Sequence, residues 1–155
     1  ISLITKFIST YNSSNSRYLI SFAYGVDKVF WYKFRSYEKD PYYTEDNFGV
    51  VHKDLSPKPA FYAYKALTTL CPSGSSRPRL EISGDLYKAS WARPDGKTVW
   101  AVWNPKGDCS LRQLSYTGSP VFYDYMGKKL KNNKGKFNLT SGVLYVVGCK
   151  NLMVD

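Results

Sequence analysis

Residues 29–34, with the sequence VFWYKF, are the feature that most constrains the fold of this 155-residue chain. Five of the six are aromatic or β-branched and they follow no helical period, so they predict a β-strand. A strand that is apolar on both faces is buried only within a sheet that is covered on both sides. The surrounding sequence contains too few strands to flank it, so we expect further strands on its N-terminal side.

The residues that precede this strand predict an interrupted helix. Apolar side chains fall at helical spacing near the start of residues 1–24, and the polar stretch 12–16 breaks that pattern. The polar stretch also offers capping side chains for a second helix over residues 17–24, which Gly25 ends.

A long loop and a helix follow the strand. Residues 35–47 are polar and charged and predict the loop, and residues 48–51 predict a short returning strand. Alanine, tyrosine and leucine side chains share one stripe of residues 60–70, which predicts an amphipathic helix.

The character of the chain changes after this helix. Residues 71–78, CPSGSSRP, have the composition of a linker, and from Leu80 onward short alternating runs are separated by turns such as Arg-Pro-Asp-Gly. We therefore predict an α+β chain with a first unit at 1–72, a linker at 73–79 and a small antiparallel β-sandwich at 80–155. The sandwich is predicted to have about six strands, at 87–92, 98–103, 110–117, 121–125, 136–139 and 143–147.

The cysteine and histidine content predicts neither a metal site nor a cofactor. Cys109 and Cys149 both lie in the β-rich half and could form a disulfide if their strands are neighbours, which would leave Cys71 free. The spacings do not match a zinc site, and the single histidine, His52, cannot complete one.

The formal charge of +10 raises the question of a nucleic-acid partner. Five lysines are clustered, but they alternate with asparagine and glycine between two strand-like runs, which favours a solvated hairpin or loop; they are Lys128, Lys129, Lys131, Lys134 and Lys136. No zinc finger, helix-turn-helix or aromatic-basic RNA signature occurs, so we do not expect nucleic acid as a partner. We also expect no membrane partner, because no apolar run approaches the length needed to cross a bilayer.

Three segments of the first unit resemble a known family of enzymes. Residues 24–35, YGVDKVFWYKFR, resemble the seventh helix and eighth strand of (β/α)8-barrel glycoside hydrolases of the family-39-like type. Residues 47–51, NFGVV, and 54–65, DLSPKPAFYAYK, resemble the end of the last loop and the last helix of these barrels. The resemblance covers about residues 16–71, and a β-sandwich commonly follows such a barrel.

The resemblance implies the C-terminal part of a secreted or periplasmic, polysaccharide-acting enzyme. Family members are retaining enzymes that use two glutamates, with carboxyl groups about 5–5.5 Å apart, after the fourth and seventh strands. Both glutamates would precede Ile1, so we predict no catalytic residue in this chain. The expected partners are a carbohydrate substrate and the missing N-terminal part of the barrel, on the same chain or on a partner chain.

The resemblance also suggests substrate-binding residues. Trp31, near the end of the eighth strand, would form a platform under a sugar ring, although core packing is an equal alternative. Arg35 could bond sugar hydroxyls or a carboxylate, and Asn47 is a further candidate. The acidic side chains of the loop could line a sugar site or bind a cation, although solvated loop charges are the simpler explanation; they are Glu38, Asp40, Glu45 and Asp46.

The tryptophans of the predicted sandwich raise an alternative function, that of a non-catalytic carbohydrate-binding protein. Trp91 and Trp100 flank a hairpin turn, and strand alternation places Trp100 and Trp103 on opposite faces of one strand. Core or interface packing is the simpler explanation of all three. An exposed tryptophan on the sandwich would favour the binding function.

Overall fold

The computed structural model describes residues 14–107 and 109–155, and the helix predicted near the start of the chain falls largely outside them. Two α-helices and one 3-10 helix occur in the described part of the first half: α1 at Ser14–Ala23, the 3-10 helix at Thr44–Asn47 and α2 at Pro59–Leu70. Nine strands follow: β1 Arg79–Ser83, β2 Leu86–Ala92, β3 Thr98–Trp103, β4 Ser110–Tyr116, β5 Val121–Tyr123, β6 Lys129–Leu130, β7 Lys136–Leu139, β8 Leu144–Val147 and β9 Leu152–Val154.

The strands form two antiparallel sheets. The larger sheet has the order β1-β2-β3-β8-β5-β6, and the smaller has the order β7-β4-β9. The hairpin of β2 and β3 has the register that its Arg-Pro-Asp-Gly turn predicts, with Trp91 opposite Val99 and Ala92 opposite Thr98. The α+β class and the antiparallel sheets of the prediction are confirmed, and all six predicted strands are present.

The larger sheet is buried on both of its faces. On one face Val102 of β3 packs into the core that lies between the two sheets. On the other face Ala101 and Trp103 of the same strand pack with Tyr18 of α1 and Leu67 of α2. We call this second cluster the helix-side core. Because alternate residues of a strand point to opposite faces, one strand contributes to both cores. The molecule therefore has three layers, with the larger sheet between the helices and the smaller sheet.

Hydrogen bonds as well as apolar contacts join the helices to the larger sheet. The indole Nε1 of Trp91 in β2 donates to the carbonyl oxygen of Leu70 at 2.8 Å, which satisfies one of the free carbonyls at the end of α2. The side-chain amide of Asn15 in α1 donates to the carbonyl oxygen of Tyr125 at 2.8 Å. The helices and the sheet thus share one core across the predicted linker, and the last residue of that linker, Arg79, begins β1.

The prediction of a regular strand at residues 29–34 is wrong for this structure. The segment is not paired as a strand, and the nearby ladder contacts are isolated bridges that join Val51 to Arg35 and to Pro57. The returning strand predicted at 48–51 is likewise reduced to these bridges. Strand propensity reflects packing against neighbouring strands, and the described residues supply only a short contact here, in which the N–H groups of Val50 and Val51 donate to the carbonyl oxygens of Lys33 and Phe34.

Side chains nevertheless alternate along this segment. Val29 and Trp31 pack against the helix-side core, whereas Phe30, Tyr32 and Phe34 are 88%, 70% and 62% exposed. The peptide bond between Tyr32 and Lys33 is cis. The outward side chains of Phe30, Tyr32 and Phe34 thus form an exposed apolar surface.

The cysteines are all free thiols. Cys109 is exposed, Cys149 is buried and Cys71 is partly buried, so the disulfide left open by the sequence is not formed. Burial raises the pKa of the Cys71 and Cys149 thiols above the ordinary value.

Candidate functional site

The loop between residues 35 and 58 is held by one buried serine. Ser36 has no exposed surface, and its hydroxyl oxygen accepts hydrogen bonds from the backbone N–H of Gly49 at 3.0 Å and from Nζ of Lys58 at 2.6 Å. Its backbone N–H donates to the carbonyl oxygen of Val51 at 3.0 Å. Ser36 thereby links the start of the loop to residues 49–51, the part of the loop that returns towards it.

Lys58 is the charged centre of this arrangement. Its side chain is only 6% exposed, and Nζ also donates to the carbonyl oxygen of Asn47 at 3.2 Å and lies 3.5 Å from Oε1 of Glu38. A buried ammonium group is tolerated when it is paired and hydrogen-bonded, and these contacts satisfy that requirement. The Pro-Lys-Pro turn before α2 supplies the lysine at this position.

Glu38 receives contacts from both arms of the loop. Oε1 lies 2.6 Å from Nδ1 of His52, and Oε2 accepts the backbone N–H of Lys53 at 3.3 Å. The hydrogen bond from His52 is the main reason that the pKa of the Glu38 carboxyl is lower than its usual value, and the N–H of Lys53 and the charges of His52 and Lys58 add to the effect. The ionised carboxylate of Glu38 thus links the start of the loop to His52 and Lys53 in its returning part.

An open depression of about 590 Å³ lies beside these residues, lined by Arg35, Glu38, His52, Lys53, Asp54 and Ser56. Both charge signs are present around it. Asp54 accepts the backbone N–H and the hydroxyl of Ser56 at 2.9 and 2.6 Å, and these bonds lower the pKa of its carboxyl. The carboxylates of Glu38 and Asp54 are therefore held in place by hydrogen bonds in the wall of the depression.

The structure places the three predicted substrate-binding residues apart. Arg35 lines the depression, whereas Trp31 and Asn47 do not. Trp31 is half-buried on the side of the helices, where its Nε1 donates to the carbonyl oxygen of Phe48 at 3.0 Å. The Asn47 amide donates to the carbonyl oxygens of Asp40 and Tyr43 at 3.1 and 3.0 Å and so shapes the loop. Their roles in substrate binding stay predictions.

The group formed by Glu38, His52 and Lys58 cannot be predicted from sequence spacing. In the sequence, Glu38 is one of four acidic residues of the loop and His52 is the single histidine. Their contact joins positions 14 residues apart in an irregular loop, for which sequence periodicity carries no information. The side chains of the described residues form no group of three or more His, Cys, Asp or Glu that could hold a metal ion.

The exposed aromatic side chains are concentrated in the first half of the chain. Among the described residues, every large aromatic side chain that is exposed lies between Tyr24 and Tyr64. They are Tyr24, Phe30, Tyr32, Phe34, Tyr37, Tyr42, Tyr43, Tyr62 and Tyr64.

The tryptophans of the sandwich are packed inside it or against it. Trp91 and Trp103 are 2% and 0% exposed and belong to the helix-side core. Trp100 packs partly into the core between the sheets, on the opposite face from Trp103 as the alternation predicts, and its Nε1 donates to the carbonyl oxygen of Cys149. None of the three tryptophans is therefore an exposed platform for a sugar ring, which counts against a carbohydrate-binding function that uses these side chains.

A comparison with solved structures finds the same arrangement in part of a larger enzyme. A family 39 glycoside hydrolase from the gut symbiont Bacteroides cellulosilyticus WH2 superposes with a TM-score of 0.70 and 21% sequence identity over 89% of this chain. The match shows the fold. This chain spans only 30% of the length of that enzyme chain. No family model and no curated protein matches the sequence.

Neither α-helix in the described part of the chain has the length and apolar character needed to cross a membrane. The α1 and α2 helices span 10 and 12 residues, and both pack with the helix-side core. Their apolar stripes are therefore used in packing against the larger sheet.

The Glu38 contacts predict that the loop loosens in acid. Because folding lowers this pKa, the contribution of the carboxylate is present above the ordinary carboxyl pKa of about 4.3 and is lost as the pH falls through the lower folded value. We expect amide protection of Lys53 to fall over that range. In Glu38→Gln, which cannot ionise, protection should be reduced at neutral pH and should lose most of this pH dependence. Equal pH dependence in both proteins would contradict the assignment.

Proposed function

We propose that this chain contributes the C-terminal part of a polysaccharide-acting, retaining glycoside hydrolase that acts outside the cytoplasm. It would supply part of the sugar-binding face together with an accessory β-sandwich, and both catalytic glutamates would lie in the portion that precedes Ile1. The observation that carries the proposal is the fold match, which extends over most of this chain but over less than a third of the enzyme.

The extended segment at residues 29–34 supports the proposal. Its inward side chains pack against the helices, and its outward side chains, Phe30, Tyr32 and Phe34, are exposed. Such a segment has the alternation of a strand and lacks the neighbours of one. Adjacent strands from the rest of a barrel would cover these rings and pair the open backbone.

The loop between residues 35 and 58 supports the proposed location of the sugar site. In barrel enzymes the segments that connect each strand to the next helix build the active site, and this loop connects the extended segment to α2. Arg35 would contact sugar hydroxyl or carboxylate groups from the wall of the depression. Trp31 and Asn47 would act at the same site by supporting the loop that carries Arg35.

Two measurements test this proposal. We expect this chain alone to release no reducing sugar from a panel of plant and bacterial polysaccharides. We expect the coding sequence upstream of Ile1 to encode about seven further βα units, with glutamates after the fourth and seventh strands. Hydrolysis by the isolated chain, or an upstream sequence without these units, would contradict the proposal.

Within the full enzyme, Arg35→Ala is expected to raise KM about tenfold with little change in kcat, because a lost hydrogen bond to a charged group weakens substrate binding. Arg79→Ala is the matched control, since Arg79 is exposed at the start of β1, away from the depression. An equal rise in KM for both variants would count against a role for Arg35 at the site.

A further inference from the structure

Five lysines, from the turn before β6 to the first residue of β7, form a strip at one edge of the sandwich. β6 is one edge strand of the larger sheet and β7 is one edge strand of the smaller sheet, so the connection between them runs from one sheet to the other. All five lysines are exposed: Lys128, Lys129, Lys131, Lys134 and Lys136. Leu130 and Phe137, between and beside them, pack into the core. We call these five residues the lysine strip.

The charges of the lysine strip are not neutralised within the described part of the chain. None of the five ammonium groups lies within 4.0 Å of a described carboxylate oxygen, although seven other ion pairs occur there. The neighbouring Asp124 uses Oδ1 to accept the backbone N–H groups of Met126 and Lys128. Uncompensated charge of one sign creates a local potential that attracts polyanions.

Hydrogen bonds hold the backbone of the lysine strip in a defined conformation. The Asn132 side chain donates to the Tyr116 hydroxyl at 2.6 Å and accepts the N–H of Gly135 at 2.9 Å. The N–H of Leu114 donates to the carbonyl oxygen of Gly135 at 2.7 Å, and the Gln113 amide donates to that of Lys134 at 3.0 Å. A binding surface whose backbone is already ordered loses less entropy when a ligand binds.

A groove of about 450 Å³ runs beside the strip, between residues 120–122 and 129–132. Lys129, Lys131 and Asn132 contribute its polar lining, while Pro120 and Val121 contribute apolar surface. In an extended segment, alternate residues such as Lys129 and Lys131 are about 7 Å apart. The groove therefore presents two cations, Lys129 and Lys131, beside an apolar wall formed by Pro120 and Val121.

We infer that the lysine strip and this groove bind a polysaccharide that carries regularly spaced anionic groups, with apolar sugar faces on the wall and carboxylate or sulfate groups on the lysines. The inference rests on the proposed function for taking a carbohydrate as the partner. A single-stranded nucleic acid fits less well, because its bases stack on exposed aromatic side chains. No large aromatic side chain is exposed on the sandwich as far as the structure describes it.

The test uses the 155-residue chain and measures its binding to polygalacturonate by calorimetry at low and high NaCl concentration. The variant Lys129→Gln/Lys131→Gln/Lys134→Gln removes three charges from the strip. Lys65→Gln/Lys106→Gln/Lys150→Gln removes three exposed lysines outside the strip and outside the 35–58 loop, and it matches the net charge of the strip variant. We expect both variants to stay folded, because every substituted side chain is exposed, and thermal unfolding checks this.

We expect the strip variant to bind polygalacturonate about tenfold to a hundredfold more weakly, with a shallower salt dependence, and the control variant to stay within about twofold. Fully methyl-esterified polygalacturonate, which keeps the sugar backbone without the charge, should not bind. Equal losses in the two variants, or equal binding of the ester, would overturn the inference. Tighter binding of a thymidine oligonucleotide than of polygalacturonate would overturn it in favour of nucleic acid. These results leave the proposed function intact, since that depends on the upstream sequence and on hydrolysis.

Discussion

Replacing Gly49 with alanine is expected to lower the free energy of opening of the 35–58 loop by about 3 kcal/mol. A Cβ atom at this position would overlap the backbone of Arg35 and Ser36 and approach the Ser36 hydroxyl. The arms of the loop must therefore separate, and the hydrogen bond from the Gly49 N–H to Ser36 weakens with that movement. Hydrogen exchange of the Ser36 amide, which donates to Val51, measures the effect.

Gly84→Ala is a suitable control for this substitution. Gly84 lies in the turn between β1 and β2, where an added Cβ meets no atom within 4 Å. Its φ of +59° gives alanine a backbone strain of about 1 kcal/mol. Protection in the 35–58 loop should stay unchanged in this variant. Unchanged Ser36 protection in Gly49→Ala would show that the close approach of the two arms is wrong.

Replacing Trp91 with alanine is expected to reduce the free energy of unfolding by about 3–5 kcal/mol. The indole is 2% exposed, packs edge-on against Tyr145 and belongs to the core shared by the helices and the larger sheet. The substitution leaves a cavity at that interface and removes the hydrogen bond to the Leu70 carbonyl oxygen. Urea unfolding followed by tyrosine and tryptophan fluorescence provides the measurement.

Two further variants separate the contributions to this effect. Trp91→Phe keeps most of the buried ring and removes the hydrogen bond, so it should cost about 1–3 kcal/mol. Trp100→Ala removes a half-buried indole from the other face and should cost less than Trp91→Ala. A loss of less than about 1 kcal/mol in Trp91→Ala would contradict the shared core.

The regular elements that could be predicted from the sequence carry a local signal. The apolar stripe at residues 60–70 corresponds to α2, and the turn at residues 93–96 marks the hairpin of β2 and β3. The sequence pattern does not predict three of the observed strands, which are β1, β6 and β9. β6 has only two residues and begins with a lysine, so it shows no alternation, and β9 has three residues beside a polar stretch.

The remaining differences arise from contacts that the sequence pattern does not encode. Residues 29–34 have a strong strand propensity, but a strand exists only when a neighbour completes its hydrogen bonds. Lysines are rarely buried, so composition alone would place Lys58 in solvent. It is buried because Ser36 and the Asn47 carbonyl oxygen replace water around Nζ and Glu38 lies nearby. The candidate site therefore follows from tertiary contacts within one loop.

The core shared by α1, α2 and the larger sheet affects how parts of this molecule could be exchanged with those of proteins that have the same fold. A chimera joined within residues 73–79, where the composition changes, would separate Trp91 and Tyr145 from Tyr18 and Leu67 and leave an apolar sheet face facing an unrelated surface. A join N-terminal to Ser14 keeps both helices with the sheet. The smallest part that can be exchanged intact is thus larger than the β-sandwich, because it has to include both helices.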